Sequence, residues 1–141
     1  MNIWKVGDSA QISKTVTDED IAGFAAITLD TNPVHLDKAY AAGTIFGGCI
    51  AHGMLSAGLI SAVIGTKIPG PGAIYREQSV KFHRTVRAGE TLTATATITS
   101  IERSIMLLNT VVTNESGELV VSGTATIGYR PDNFITARIV V

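Results

Sequence analysis

The chain has 141 residues, of which 45% are hydrophobic and 16% charged; this balance excludes intrinsic disorder and predicts one domain with one core, over residues 1–141. The formal net charge of -1 gives no overall attraction to nucleic acid, so no nucleic-acid partner is expected. The low charged share, with a mean hydropathy of +0.30, predicts that a partner covers part of the surface. A second copy of the chain is the simplest such partner.

The sequence also predicts a cytoplasmic protein that does not cross a membrane. Cys49 is the single cysteine, so no disulfide can form within the chain. The first eight residues lack the basic and apolar regions of a signal peptide. Residues 39–66 carry no charge, but the continuous helix predicted at about 51–64 is shorter than the roughly 20 residues of a membrane span. We therefore expect a buried core helix.

The first half of the chain has helical patterns after one initial strand. Thr17 followed by the acidic Asp20 is a helix-start signal, and the turn at 30–33 ends that helix because Pro33 forces Asn32 into an extended conformation. In chain order, the predicted elements are a strand at 10–16, a helix after Thr17, a short helix at 37–42 and the apolar helix.

Beyond residues 69–72 the pattern changes to a period of two, which indicates strands. Four strands are predicted, at 73–86, 91–99, 105–113 and 118–129. Because short turns join them, they should form an antiparallel sheet, curled around the apolar helix in a two-layer α+β domain. Residues 131–141 are either an edge strand or a tail that packs on a neighbour.

Polar residues are scarce in the first half, so the group Asp30, Asn32 and His35 is informative. A rigid turn through Pro33 could direct a carboxylate and an imidazole to one point, where they could hold a water molecule or act as an acid/base pair. The alternative is an ordinary helix end with an Asx turn and a surface histidine.

His52 and Gly53 stand at the start of the apolar helix. A helix N-terminus offers unpaired N–H groups, and glycine lets a ligand approach them closely. An oxyanion could therefore be stabilised at Gly53. Alternatively, Gly53 only permits close packing, and His52 is a buried histidine satisfied by its neighbours.

Three parts of the sequence together resemble the MaoC-like family of (R)-specific enoyl-CoA hydratases: the run Asp30-Thr31-Asn32-Pro33-Val34-His35, the segment Ala51-His52-Gly53-Met54, and Ser61. The resemblance covers the chain from the strand at Ala10 to that ending near Tyr129. It implies a hot-dog fold, a homodimer or dimer of dimers, and an acyl-CoA thioester as substrate. The family commonly has glycine before the aspartate, where this chain has Leu29.

The same resemblance implies specific roles. Asp30 and His35 would be the catalytic pair and would hold the water that adds to Cβ of a trans-2-enoyl thioester. The Gly53 N–H would bind the thioester oxygen, Ser61 would support the pair by a hydrogen bond, and Asn32 would fix the loop. No metal or redox cofactor is expected.

Several alternatives stay open from sequence alone. The fold could also serve a thioesterase or a non-catalytic acyl-CoA-binding module. Asp30, His35 and His52 could in principle hold a metal, but no H-E-x-x-H motif or cysteine pair accompanies them. Cys49 could be a nucleophile, although no third orienting group is evident. Five cations could favour a phosphate-bearing ligand such as coenzyme A or could simply be solvated: Lys67, Arg76, Lys81, Arg84 and Arg87.

Overall fold

One antiparallel sheet and one long helix dominate the computed structural model, which describes residues 4–130. In chain order the elements are β1 (Ser9–Thr15), α1 (Asp18–Thr28), α2 (Pro33–Leu36), α3 (Lys38–Ala42), α4 (Gly53–Thr66), β2 (Ala73–Gln78), β3 (Lys81–Phe82), β4 (Thr91–Glu102), β5 (Ile105–Asn114) and β6 (Leu119–Tyr129). The strand order is β1-β4-β5-β6-β2, and the short β3 also pairs with β6. The predicted antiparallel α+β arrangement is confirmed.

The core lies between α4 and one face of the sheet. As predicted, the side chains of β4 alternate between buried and more exposed positions. The buried ones occupy every second position: Leu92, Ala94, Ala96 and Ile98. Ile60 and Ile64 project from α4 into this core, and each is at most 1% exposed. Full burial of such a side chain contributes about 1.5–3 kcal/mol, so this contact holds helix and sheet together. Within residues 4–130, no helix has both the length and the apolar character that a membrane crossing requires.

Local capping sets where the first helices begin. Thr17 Oγ1 accepts a hydrogen bond from Asp20 N at 3.1 Å, and Asp20 Oδ2 accepts one from Thr17 N at 2.9 Å, so the predicted start of α1 is confirmed. The Thr17 N–H, helped by Lys14, lowers the pKa of Asp20. At the other end, Leu29 closes α1 in the left-handed region at φ 67°.

The prediction of one continuous strand over residues 73–86 is wrong, because the regular pairing with β6 stops after Gln78. A Cβ on Gly123 would lie 1.8 Å from the Ser79 carbonyl oxygen, so the Ser79 backbone crosses closely over β6. Ser79 N donates to Thr124 O and Ser79 Oγ accepts from Thr124 N, each at 2.9 Å. The chain pairs again only at β3 and then leaves the sheet.

The chain that leaves the sheet after β3 lies beside the start of α4. His83 N donates to Val120 O at 2.8 Å, and Ala51 N donates to Val86 O at 2.7 Å. The segment 83–86 therefore runs from the sheet to the residues just before α4. The prediction for residues 131–141 lies outside the described residues.

Candidate active site

A short, hydrogen-bonded turn carries the three polar residues that follow α1. Thr28 Oγ1 accepts from Asp30 N at 3.3 Å, and Asp30 Oδ1 accepts from Asn32 N at 3.3 Å. Asn32 Oδ1 accepts from Val34 N at 3.2 Å and thereby caps α2. Asn32 is non-helical, as Pro33 requires, whereas His35 lies on the single turn α2 rather than in a plain loop.

A backbone carbonyl oxygen binds one nitrogen of the His35 ring. Its Nδ1 lies 2.8 Å from Ile50 O, and a carbonyl oxygen only accepts, so Nδ1 carries the proton and donates. In the neutral ring, Nε2 is then unprotonated and can accept a proton or hold a water molecule. Ile50 N in turn donates to Val34 O at 3.2 Å, which ties α2 to the segment before α4.

His52 joins the two halves of this arrangement. It is 2% exposed, its Nε2 lies 2.9 Å from Asp30 O, and its ring stacks on that of His35 with centroids 3.8 Å apart. The ring of Phe24 in α1 also packs on His52, with a centroid distance of 4.7 Å. The sequence indicated no more than a buried histidine here; its contacts with both Asp30 and His35 depend on the fold.

Asp30 and His35 come together as predicted. A carboxylate oxygen of Asp30, a ring nitrogen of His35 and a ring nitrogen of His52 all lie within 4.8 Å of one another. Asp30 is exposed and His35 half-buried, so solvent or a ligand can reach the pair. Two hydrogen bonds of about 2.8 Å from one water molecule place their acceptors about 4.5 Å apart, so this spacing suits a single shared water.

The same three residues form the group best placed to hold a metal ion within the described chain. The interplanar angle of the two rings is 28°, so their in-plane lone pairs run nearly side by side and do not converge on one point. Moreover, His35 Nδ1 and His52 Nε2 already donate to carbonyl oxygens. This geometry favours a water site over a metal site, and the absence of a metal cofactor stays a prediction.

A cleft of about 290 Å³ opens beside His35. Its wall includes Gly53 at the start of α4 and the segment from Phe82 to Val86. The Gly53 N–H has no hydrogen-bond partner within residues 4–130, so it is available to a ligand. A Cβ added to Gly53 would lie 2.8 Å from Phe82 Cε1, which means that the phenyl ring rests directly on the glycine.

Two serines of α4 lie in different surroundings. Ser61 is exposed and does not line the cleft within the single chain, so its supporting role stays a prediction. Ser56, which the sequence analysis did not single out, is 2% exposed and lines the cleft with His35 and Gly53. Its position one turn after Gly53 is the signal that could have found it, because residues three apart share a helix face.

The five cations do not form one patch. Lys67 donates to Gln11 O at 3.1 Å on β1, at the opposite edge of the sheet from β2. Arg87 donates to Phe46 O, and Arg84 forms an ion pair with Glu118. Of the five, Arg84 lines the cleft, and the adjacent His83 lines it as well. Cys49 is half-buried and is absent from both the histidine cluster and the cleft wall.

Comparison with known proteins gives concordant matches. The family model "MaoC like domain" matches residues 6–120. An (R)-specific enoyl-CoA hydratase of Rhodospirillum rubrum is 50% identical over 125 residues, covering 87% of this chain and 86% of its own. An (R)-specific enoyl-CoA hydratase of Aeromonas caviae is 40% identical over 87% of this chain and 93% of its own.

Solved structures agree with the fold. The unliganded R-hydratase PhaJ1 of Pseudomonas aeruginosa has a TM-score of 0.85 and 42% identity, covering 89% of this chain and 82% of its own. An (R)-hydratase of A. caviae involved in PHA biosynthesis has a TM-score of 0.88 and 38% identity, covering 92% and 100%. The expected hot-dog fold is confirmed, and the sequence and structural matches together place this chain in the MaoC-like family.

Proposed function

We propose that this enzyme adds water to trans-2-enoyl-CoA to give (R)-3-hydroxyacyl-CoA, and that it catalyses the reverse dehydration. The relatives support this activity, because curated proteins at 50% identity are an (R)-specific enoyl-CoA hydratase and a 3-hydroxybutyryl-CoA dehydratase. The observation in this chain that carries the proposal is the spacing of three groups. Asp30 and His35 lie within reach of one water, and the unpaired Gly53 N–H lies in the same cleft as His35.

In the hydration direction, the Asp30 carboxylate and His35 Nε2 both accept hydrogen bonds from the water molecule. They orient its lone pair toward Cβ on one face of the double bond, which accounts for a single stereochemical outcome. The new C–O bond forms as the π bond breaks, and one member of the pair takes a proton from the water. A proton is then delivered to Cα, so atoms and charges balance without a redox or metal cofactor.

The Gly53 N–H acts on the other end of the conjugated system. As water adds to Cβ, negative charge develops on the thioester oxygen, and an N–H at the N-terminus of α4 stabilises that charge. In the reverse direction, the same interaction acidifies Cα. Asn32 has a supporting role, because its side chain caps α2 and its N–H donates to Asp30 Oδ1.

The substrate we propose is a coenzyme A thioester. His83 and Arg84 line the cleft, and the Arg84 guanidinium attracts an anionic carrier toward its mouth. The Arg84 guanidinium also pairs with Glu118, but both side chains are about half exposed, so a phosphate can compete for Arg84 at little cost.

A spectroscopic assay with crotonyl-CoA tests the reaction. We expect loss of the absorbance of the conjugated enoyl thioester, formation of the (R)-3-hydroxy thioester and no release of free thiol. Thiol release that matches substrate loss would instead identify a thioesterase. Binding of the thioester without either signal, across short and medium chains, would identify a non-catalytic binding module.

We further propose that two or more copies associate. Several large apolar side chains are exposed in the single chain, among them Ile27 at 85% and Ile45 at 96%. Association would cover part of this surface. Sedimentation equilibrium at micromolar concentration should give a dimer or a dimer of dimers, and a monomer alone would contradict the proposal.

We also propose that residues 1–141 form one MaoC-like domain and that the protein acts in the cytoplasm. The family match over residues 6–120 and the shared core of α4 and the sheet support the first statement. The single cysteine, Cys49, supports the second, since a reducing compartment needs no disulfide framework.

A further inference from the structure

His52 contacts both members of the candidate catalytic pair, Asp30 and His35. It does not line the cleft, yet its Nε2 reaches Asp30 O at 2.9 Å and its ring lies 3.8 Å from that of His35. With 2% exposure, it has no access to a ligand. Its side chain can therefore influence the reaction through Asp30 and His35, whereas its backbone shares the peptide bond of the Gly53 N–H.

The hydrogen bond fixes the tautomer of His52. Because Asp30 O can only accept, Nε2 carries the proton, and Nδ1 is the unprotonated nitrogen of the neutral ring. Nδ1 is buried and has no hydrogen-bond partner within residues 4–130. An unpaired buried acceptor destabilises the fold by about 1–3 kcal/mol, so a histidine at this position is a poor choice for stability alone.

Ordinary structural roles do not account for the side chain. His52 is the N-cap residue of α4, but its side chain makes no capping hydrogen bond. Its ring instead fills the space between Phe24 of α1 and His35 of α2, and its N–H holds the turn at Asp30. These contacts define both the plane of the His35 ring and the backbone position from which the Asp30 carboxylate extends.

We propose that His52 is a positioning residue for the hydration reaction: its N–H fixes the Asp30 turn and its ring fixes the His35 plane. The inference rests on the proposed function of Asp30 and His35. A displacement of about 1 Å between groups that hold one water can lower the rate by about 10²-fold, whereas substrate binding elsewhere in the cleft is unaffected.

Three variants separate the two contacts. His52→Gln keeps an amide N–H that can reach Asp30 O but lacks the ring, whereas His52→Phe keeps a flat ring against His35 but lacks the donor. His52→Ala removes both. We expect kcat to fall by about 10-fold in each of the first two variants and by about 10²-fold in the third, with KM changed by less than about 3-fold.

Thr110→Val is the matched control for loss of a buried polar group. Thr110 is 0% exposed, donates to Gly123 O at 2.9 Å and accepts from Gln78 Nε2 at 3.0 Å, and it does not line the cleft. We expect this variant to lower the melting temperature and leave kcat unchanged at a temperature where it is folded. A kcat loss in folded Thr110→Val equal to that in the His52 variants would reduce His52 to a structural residue and overturn the proposal.

Nitrogen-15 NMR of the histidine rings gives a readout that does not depend on turnover. In the wild type, the His35 ring should show one tautomer, with the proton on Nδ1. In His52→Gln and His52→Ala, loss of the stack should let the His35 ring tilt and weaken its hydrogen bond to Ile50 O, so that both tautomers are populated, whereas His52→Phe should keep the single form. Unchanged His35 signals in all three, with kcat within about two-fold of wild type, would overturn the proposal.

The NMR readout also distinguishes failure of the proposed function from failure of the positioning role of His52. If the wild type fails to hydrate crotonyl-CoA but the His35 tautomer responds as expected, the proposed function fails and the positioning contact stands. If the wild type is active and the His35 signals do not change in the His52 variants, only the positioning role of His52 fails.

Discussion

Two walls that are held in place by different interactions meet at the cleft: residues 28–36, of which His35 lines it, and residues 82–86, which all line it. On the wall formed by residues 28–36, side chains of Thr28, Asp30 and Asn32 each bind a backbone N–H of the same turn. On the wall formed by residues 82–86, the backbone is bonded to β6 and to Ala51, but two side chains are less constrained: Phe82 is 51% exposed and Arg84 forms a surface ion pair. We call the first wall rigid because its polar side chains are bonded to its own backbone, and the second adaptable because the side chains of Phe82 and Arg84 can move.

This contrast indicates that the two walls have different roles in the reaction. Groups that share one water must be held within fractions of an ångström, and several hydrogen bonds from side chains to the local backbone contribute to that. Groups that accommodate acyl chains and an anionic carrier tolerate more variation. Substitutions in the first wall should therefore affect kcat, whereas those in the second should affect KM and substrate preference.

The largest effect is expected at the catalytic pair. Asp30→Asn and His35→Ala should each lower kcat by about 10²–10⁴-fold, because each removes an acid/base group that contacts the same water. The double variant should be only modestly worse than either single variant. Steady-state kinetics with crotonyl-CoA measures this, with Asp18→Asn on α1 as a carboxylate control; near-normal turnover in both single variants would mean that the site is elsewhere.

Substitutions at Gly53 test whether its N–H stabilises the oxyanion. Gly53→Ala places a Cβ 2.8 Å from the Phe82 ring, which can swing aside, so we expect a loss of a few-fold in kcat. Gly53→Pro adds similar bulk and also removes the N–H, which should cost about 10²–10³-fold in kcat. The difference between the two variants isolates the N–H.

Proline should be tolerated at this position, because Gly53 is the first residue of α4 and His52 before it is extended, at φ -61° and ψ 135°. Gly58→Ala, whose Cβ would meet nothing within 4 Å, is the matched control on the same helix and should retain activity. Circular dichroism checks folding, and a folded Gly53→Pro enzyme with a normal rate would remove the oxyanion assignment.

A smaller effect of a different kind is expected at Phe82, on the adaptable wall. Phe82→Ala should leave kcat within about two-fold and raise KM by several-fold, since the ring contributes apolar contact area and no chemistry. Activity across acyl chains of increasing length should show a changed preference. A drop in kcat at unchanged KM would place Phe82 among the residues that organise the reaction.

The smallest effect concerns Leu29, at the start of the rigid wall. Leu29 is 81% exposed and has φ 67°, a conformation that costs a residue with a Cβ about 1–2 kcal/mol. Leu29→Gly should raise the melting temperature by about 3–5 °C without changing kcat. Leu29→Ala keeps the Cβ and should not gain; equal melting temperatures of all three proteins would show that this backbone carries no strain.

Features governed by neighbouring residues were predictable. The Thr17–Asp20 capping box, the non-helical Asn32 before Pro33 and the alternation of β4 all follow from interactions within a few positions, and the structure shows all three. The strand over 73–86 was mispredicted because its break at Ser79 depends on Gly123 of β6, 44 positions away. The contacts of His52 with Asp30 and His35 likewise depend on neighbours that are distant along the chain.

The sequence alone determined an α+β fold, the location of the polar turn at 30–35 and the start of α4 beside Gly53, because periodicity, capping and turn chemistry act locally. The tertiary structure decided how these pieces meet. It stacks His52 on His35, brings Ile50 O to His35 Nδ1 and turns residues 83–86 away from the sheet to form the second wall. Such contacts depend on packing α4 against the sheet, which no local pattern encodes.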